Sequence, residues 1–220
     1  MLKNASGTGL MSIEGPIIAN RSVELSDVER PALVGPHAVI HAVDVMRECL
    51  DSRTYAQVLA DAQLERVPSG LDMIPEIDVI RLHRWLATHE PVACFPIAEE
   101  AARRTADYII ANRIPKLATA LLRILPTSLS AILLMKAIRR HAWTFIGAGR
   151  FDPCGGWRFT IDRTQANDAV IPPATLFRWY AGVFETLYRR LISPGCRCSF
   201  RPIRGRESCT GDYLIRPNLT

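Results

Sequence analysis

A chain of 220 residues is long enough for one full-sized hydrophobic core and short for two independent domains. Hydrophobic residues make up 48% of the sequence, a share that excludes an intrinsically disordered protein. The net charge is +5, but the basic residues are scattered along the sequence, whereas a nucleic-acid binder usually concentrates them on one face. We therefore expect no nucleic-acid partner and at most peripheral contact with a membrane.

The apolar runs of the sequence bear on the compartment. The first 20 residues lack the continuous apolar segment of a signal peptide. The most apolar internal run, residues 129–138, includes Lys136 and is too short to span a bilayer. We expect a cytoplasmic protein, so its six cysteines should be thiols or metal ligands and not disulfides.

The first part of the chain leads into helices. Residues 1–34 have no hydrophobic periodicity, and we interpret them as a flexible lead-in to a single domain over residues 35–220. Apolar residues at three- and four-residue spacing predict a helix from Gly35, a short helix over 55–64, and a third helix that stops near Pro91.

Three more helices are predicted before the middle of the chain. A long helix should run over residues 96–112, with a proline in its first turn. Two shorter helices follow over 117–125 and 128–140, and Thr127 or Ser128 is expected to be the N-cap of the second.

The character of the sequence then changes to strands. Trp143, Phe145 and Ile146 are expected to start a strand, and residues 147–156 to form a glycine-rich turn. Apolar and polar residues alternate over 157–162, which predicts a half-buried strand.

One long helix and a second hairpin complete the predicted domain. The helix should extend over residues 172–192, and its apolar residues form a wide stripe along one side. Two strands should follow over 196–203 and 212–217. A helical first half followed by hairpin, helix and hairpin predicts an α+β fold with an antiparallel sheet.

Two strings in the middle of the chain carry a family resemblance. They are Thr-Ala-Asp-Tyr-Ile-Ile-Ala-Asn-Arg-Ile-Pro over residues 105–115 and Ala-Ile-Arg-Arg-His-Ala-Trp-Thr-Phe-Ile-Gly-Ala-Gly-Arg-Phe over 137–151. Together they resemble the bacteriochlorophyll 4-vinyl reductase family (BchJ), and the resemblance extends from about His37 to the C-terminus. It implies the fold of the 4-vinyl-reductase domain and a role in bacteriochlorophyll biosynthesis. The family name implies reduction of the 8-vinyl group, called 4-vinyl in the older naming, of divinyl protochlorophyllide or chlorophyllide.

The residues themselves supply no hydride carrier. The glycines Gly147 and Gly149 precede a predicted strand and not a helix, so they do not form a dinucleotide site, and we identify no catalytic residue and no cofactor. We favour a carrier or chaperone that binds a tetrapyrrole intermediate, such as divinyl protochlorophyllide, chlorophyllide or a magnesium porphyrin, and hands it to enzymes of the pathway. A vinyl reductase that uses an external reductant and a sensor of aromatic small molecules remain as alternatives, and a homodimer is left open.

Of the five histidines, His141 is the one that we assign to a ligand site. It lies inside the second family-like string, and a neutral imidazole can be the axial ligand of magnesium in a chlorin. His37 and His41 lie four residues apart on one predicted helical face, but without a third ligand they do not predict a metal site. A structural role for His141 at the junction of helix and strand stays open.

A flat apolar slot for a tetrapyrrole is expected between the helix from Pro172 and the strand from Trp143. Ligand pockets are mostly apolar with a few placed polar groups, and arginines can bind carboxylates of the ligand. The same aromatics would also fit an ordinary hydrophobic core. The residues that we assign to the slot together with His141 are five aromatics and two arginines, namely Tyr108, Trp143, Phe145, Trp179, Phe184, Arg113 and Arg140.

The resemblance also raises the question of a zinc site. In proteins of this class the C-terminal hairpin often carries two cysteines, one on each side of a central glycine, and these cysteines help to bind the metal. Here Gly205 and Cys209 match the last two positions, but Arg201 stands at the first, with Cys198 three residues upstream. Tetrahedral zinc needs four ligands, so Cys198 and Cys209 are an incomplete set. We therefore expect no tightly bound zinc.

Overall fold

The computed structural model describes residues 32–64, 66–163, 172–203 and 210–217. Its first half is helical, as predicted, apart from a short antiparallel ladder between Leu33–Val34 and Ile74–Pro75. None of the helices in these ranges is both long and apolar enough to cross a membrane. The elements of this half are β1 (Leu33–Val34), α1 (His37–Cys49), α2 (Ser52–Asp61), β2 (Ile74–Pro75), α3 (Glu76–His89), α4 (Cys94–Asn112), α5 (Lys116–Ile124) and α6 (Thr127–Arg140).

The second half contains a four-stranded antiparallel sheet, whose strands lie side by side in the order β3 (Arg150–Cys154), β4 (Arg158–Asp162), β6 (Thr210–Arg216) and β5 (Arg197–Pro202). Helix α8 connects the two hairpins in sequence and packs against the sheet. The predicted α+β class and the order of hairpin, helix and hairpin are confirmed. The elements are α7 (Trp143–Ile146), β3 (Arg150–Cys154), β4 (Arg158–Asp162), α8 (Ala174–Leu191), β5 (Arg197–Pro202) and β6 (Thr210–Arg216).

Helix α4 joins the two halves, because it packs against both α1 and α8. Small side chains allow the close approach, since Ala98, Ala101 and Ala102 are completely buried on α4. On the facing helix, a Cβ added at Gly182 would lie 2.7 Å from the Cβ of Ala102. The two helices therefore meet at a crossing where only glycine fits without displacement.

The prediction of a strand that starts at Trp143 is wrong, because residues 143–146 form the single helical turn α7. The amide of Ile146 donates to the carbonyl of Ala142 at 2.9 Å, which continues the helical direction of the chain. The amide of Gly35, next to β1, donates to the carbonyl of Thr144 at 2.6 Å. Two aromatics within four residues fit a helical turn as well as a strand, so contacts with distant parts of the chain determine which of the two forms.

The predicted glycine-rich turn over residues 147–156 is also wrong, because the chain forms strand β3 inside it. Asp152 and Pro153 suggest a turn in the sequence, yet Pro153 pairs with Phe159 of β4. The proline is tolerated because β3 is an edge strand of the sheet, where a missing amide hydrogen removes no ladder bond on the open side. The turn of this hairpin is confined to residues 155–157.

The N-cap predicted for α6 is wrong by one or two residues. Thr127 and Ser128 are already inside the helix, and Pro126 is the N-cap, without a side-chain hydrogen bond. A serine further along holds the hairpin of α5 and α6 instead, since the hydroxyl of Ser130 donates to the carbonyl of Leu122 at 2.7 Å. The helix pair is thus fixed by its buried faces.

Candidate functional site

Of the aromatics assigned to a ligand slot, two are buried in the core and a third packs against it. Trp179 and Phe184 are buried on α8, and the ring of Phe184 stacks on Phe159 of β4 with 3.9 Å between centroids. Phe145 of α7 lies edge-on to Phe184 at 6.3 Å. The helix and the segment after Trp143 do face each other, as expected, but their described side chains are in direct contact and leave no open slot between these rings.

A buried ion pair fixes α7 beside this aromatic core. Arg163, which follows β4, is 1% exposed and pairs with the carboxylate of Glu76 at the start of α3. The same guanidinium donates to the carbonyl of Ile146 at 3.2 Å and to the hydroxyl of Tyr180 at 2.9 Å. That hydroxyl in turn donates to the carbonyl of Phe145 at 3.1 Å. Arg163 and Tyr180 therefore hold the backbone of α7 in place, and Glu76 balances the charge of Arg163.

The junction of α6 and α7, residues 139–143, faces outward, and we call it the α6–α7 corner. Ala142 and Ile146, one helical turn apart, take the buried side, so the residues next to Ala142 are exposed. Trp143 is 62% exposed, and the exposed imidazole of His141 makes no hydrogen bond to a described residue. The corner thus combines an exposed imidazole, without a hydrogen-bond partner in the described part of the chain, with an exposed indole.

The corner is also basic. Arg139 and Arg140 form the last turn of α6, where cations interact favourably with the negative end of the helix dipole. Of the assigned residues, the structure thus brings together Arg140, His141 and Trp143.

Tyr108 and Arg113 belong to a second cluster, at the end of α4. The ring of Tyr108 lies 3.6 Å from that of His37, and His41 stacks on His37 at 5.6 Å between centroids. Both ring nitrogens of His37 and Nε2 of His41 are shielded from solvent without a hydrogen-bond partner among the described residues. Burial, with smaller contributions from the charges of His41 and Arg113, lowers the pKa of His37, and burial is also the main cause that lowers the pKa of His41.

This second cluster was only partly predictable from the sequence. Tyr108 and Arg113 were assigned to a ligand site because they lie in a family-like string. The pair His37 and His41 was not assigned to a site, because the sequence offered no third metal ligand. In the structure its third member is a tyrosine, and no group of three or more His, Cys, Asp or Glu side chains in the described ranges is arranged to hold a metal ion. The cluster therefore presents neutral imidazoles beside a phenol.

His83 on α3 is a buried polar residue that the sequence did not single out. It is 1% exposed, and its ring lies 6.4 Å from the indole of Trp179. Neither nitrogen of His83, nor Nε1 of Trp179, has a hydrogen-bond partner within the described part of the chain. Burial lowers the pKa of the His83 imidazole from 6.5 to about 3, so it is neutral in the folded protein.

The two cysteines assigned to zinc cannot be compared directly, since Cys209 lies outside the described residues. Cys198 is buried on β5, and its amide donates to the carboxylate of Glu185 at 2.9 Å. Burial, reinforced by the negative charge of Glu185, raises the pKa of the Cys198 thiol well above its usual range. The absence of tightly bound zinc stays a prediction.

Comparison with known proteins gives close relatives in sequence. No protein-family model matches the chain. The bacteriochlorophyll synthase 23 kDa chain of Cereibacter sphaeroides is 36% identical over 182 residues and covers 82% of each chain. The protein of the same name from Rhodobacter capsulatus is 35% identical over 164 residues, which are 73% of this chain and 76% of the relative. These relatives confirm the resemblance to proteins of bacteriochlorophyll synthesis.

Solved structures show a known fold. The Fe(II) unliganded H-NOX protein of K. algicida has a TM-score of 0.56 and covers 85% of this chain and 98% of its own. A point mutant of that protein, also unliganded, has a TM-score of 0.58 and covers 84% and 97%. A structure from work on heme distortion in the H-NOX family has a TM-score of 0.52 and covers 84% and 95%. All three are 10% identical to this chain, so the likeness is one of fold.

Proposed function

The chain belongs to the family of the bacteriochlorophyll synthase 23 kDa chain, and from this relationship we propose that it binds a tetrapyrrole intermediate and carries it between enzymes of bacteriochlorophyll biosynthesis. The family supports the pathway, and the α6–α7 corner supports the mode of binding. The observation on which the proposal depends is an exposed imidazole without an intramolecular partner among the described residues, two positions away from an exposed indole.

Each group at the corner has a matching group on a magnesium tetrapyrrole. The imidazole of His141 can donate a nitrogen lone pair to the axial position of the metal. The indole of Trp143 offers a flat apolar surface to the macrocycle. The guanidinium of Arg140 can bind a ring carboxylate through two parallel hydrogen bonds.

The closed packing of the core rings counts against the slot expected between α8 and the segment from Trp143, so the proposal places the pigment at the surface. Because Phe145 of α7 already packs against Phe184 of α8, a site between these two helices would require the core to open before each binding event. A carrier must release its cargo to the next enzyme, and an open site allows fast release, whereas enclosure would slow it.

The fold is compatible with a ligand of this class. One of the H-NOX structures of the same fold was solved in work on heme distortion, so a tetrapyrrole has a precedent on this arrangement of helices and sheet. At 10% identity this precedent concerns the fold, and the residues proposed to bind the pigment are taken from this chain alone.

A single incubation separates the carrier from the vinyl reductase. Purified protein is mixed with a divinyl magnesium pigment and NADPH, and the pigment is followed by absorption and then extracted and analysed by mass. For a carrier we expect a shifted absorption band that saturates with protein, and unchanged pigment mass. A gain of two hydrogens with turnover would contradict the carrier and support a reductase. An unshifted spectrum would contradict tetrapyrrole binding itself.

A further inference from the structure

The hairpin of α5 (Lys116–Ile124) and α6 (Thr127–Arg140) exposes an unusual amount of aliphatic surface. Leu117 is 82% exposed and Ile124 is 79% exposed. Large exposed apolar surfaces on monomeric proteins commonly mark interaction sites, so aliphatic side chains exposed to this degree point to a partner. The exposed aliphatic residues of the hairpin, which we call the aliphatic face, are Leu117, Leu121, Ile124, Leu129, Ile132 and Leu133.

The spacing of these residues shows that each helix presents one apolar side outward. On α5, Leu117, Leu121 and Ile124 follow one another at four- and three-residue steps, and Leu122 is the one buried residue of the helix. On α6, Leu129, Ile132 and Leu133 recur at three- and four-residue spacing from the first of them. The inner side of α6 is supplied by other residues, so the aliphatic face is not needed for the core.

The charged residues of the sequence segment that carries this face are all basic. Between Asp107 and Asp152 the sequence contains no aspartate or glutamate. The same interval holds seven basic residues; Arg150 pairs with Asp152 on β3, and the other six are Arg113, Lys116, Arg123, Lys136, Arg139 and Arg140. Aliphatic side chains are therefore flanked by cations without compensating acids from the same segment.

We propose that the α5–α6 hairpin docks on the surface of an anionic lipid bilayer. The aliphatic face would enter the boundary between headgroups and acyl chains, and the flanking lysines and arginines would bind lipid phosphates. Amphipathic helices with leucine on one face and lysine or arginine beside it bind membranes in this way. This proposal does not depend on the proposed function, although a tetrapyrrole carrier at a membrane would meet apolar pigments there.

The charges favour a membrane over a second copy of the chain. A two-fold dimer through this face would bring the same cations of both copies together, and like charges across an interface oppose association. The composition agrees, since protein interfaces are enriched in aromatic residues and methionine, whereas this face is made of leucine and isoleucine.

The hairpin is attached firmly enough for its outer residues to be changed without unfolding. The hydroxyl of Ser130 donates to the carbonyl of Leu122 at 2.7 Å, and Nε of Arg123 donates to the carbonyl of Arg190 at 3.3 Å. The hydroxyl of Tyr188 donates to the carbonyl of Ala131 at 3.4 Å. None of these contacts uses a side chain of the aliphatic face.

The test is sedimentation of the full chain, without pigment, with vesicles of phosphatidylcholine alone or mixed with phosphatidylglycerol. We expect binding to the mixed vesicles, with weaker binding at high salt. Leu117→Ser combined with Ile124→Ser should weaken the affinity for these vesicles on the order of tenfold or more, because two leucine-sized side chains no longer enter the bilayer. Lys116→Glu combined with Lys136→Glu should weaken binding to anionic vesicles by at least about fivefold for each lysine replaced. This factor corresponds to the attraction of about 1 kcal/mol between one surface cation and such a membrane.

A matched control is available on the same protein. Leu71 and Val92 are 90% and 92% exposed, and they lie outside the hairpin. Leu71→Ser combined with Val92→Ser should leave vesicle binding unchanged. Circular dichroism of all variants checks the fold. The proposal is overturned if wild type does not sediment with anionic vesicles, or if the control loses binding as strongly as the hairpin variant. It is also overturned if the aliphatic face instead supports a dimer that the Leu117 and Ile124 substitutions dissociate.

Discussion

His83 makes the stability of the fold sensitive to acid. In the unfolded chain its imidazole takes up a proton near pH 6.5, whereas in the folded protein its pKa is about 3. Between these two values the unfolded state binds more protons than the folded state, so the free energy of unfolding falls as the pH falls. The stability that depends on a neutral His83 is therefore fully present above pH 6.5 and is lost progressively as the pH falls toward 3.

The size of the effect follows from the difference between the two pKa values. One pKa unit corresponds to about 1.4 kcal/mol, so the free energy of unfolding should fall by about 2 kcal/mol between pH 8 and pH 5 through His83 alone. His37 and His41, whose pKa values are also lowered, act in the same direction. Substitution of His83 isolates its share, because the other two histidines are then present in both proteins.

The assay is urea denaturation of wild type, His83→Leu and His83→Gln at several pH values between 8 and 5, followed by circular dichroism. Neither substituent can be protonated in this range, so both variants should lose about 2 kcal/mol less than wild type on acidification. Leucine and glutamine differ in polarity, so agreement between them attributes the effect to protonation and not to packing. Parallel curves for wild type and both variants would refute the argument.

Two further predictions concern the fold around the site. Arg163→Met should lower the free energy of unfolding by roughly 3–5 kcal/mol, because it leaves the carboxylate of Glu76 buried without its partner. The double variant with Glu76→Leu should recover part of this loss. A loss in the double variant equal to the sum of the two single losses would contradict a coupled pair. Gly182→Ala should destabilise the protein by about 1–3 kcal/mol in the same assay, because its Cβ would meet that of Ala102 at 2.7 Å; an unchanged denaturation midpoint would show that α4 and α8 can move apart freely.

The parts of the fold that were predictable are those with long periodic patterns. Helices α1, α3 and α4 each run for 13 residues or more, so their apolar stripes repeat often enough to identify them. Strand β4 is short, but its alternation is regular. The errors at α7 and β3 arose where only four or five residues carried the pattern. There the outcome depends on distant partners, such as the bond from Gly35 to Thr144.

The candidate site follows the same division. The α6–α7 corner is local in sequence, so His141 and Trp143 could be assigned from one string of residues. The buried partners of the site are far apart in the chain, as Glu76 and Arg163 are, and neither lies in a pattern that marks it. Only the tertiary structure joins them, and it also shows that Phe184 fills the core.

The most direct test of tetrapyrrole binding at the α6–α7 corner is a titration of His141→Ala with a magnesium porphyrin and with the same porphyrin without metal. An axial imidazole contributes only when the metal is present, so the substitution should weaken binding of the magnesium porphyrin on the order of tenfold, about 1.4 kcal/mol, and shift its Soret band. Binding of the metal-free porphyrin should be unchanged. His89→Ala, which removes another exposed histidine at the end of α3, serves as the matched control and should bind both porphyrins like wild type. Equal losses for the two porphyrins in His141→Ala, or no loss for either, would contradict axial ligation at the corner.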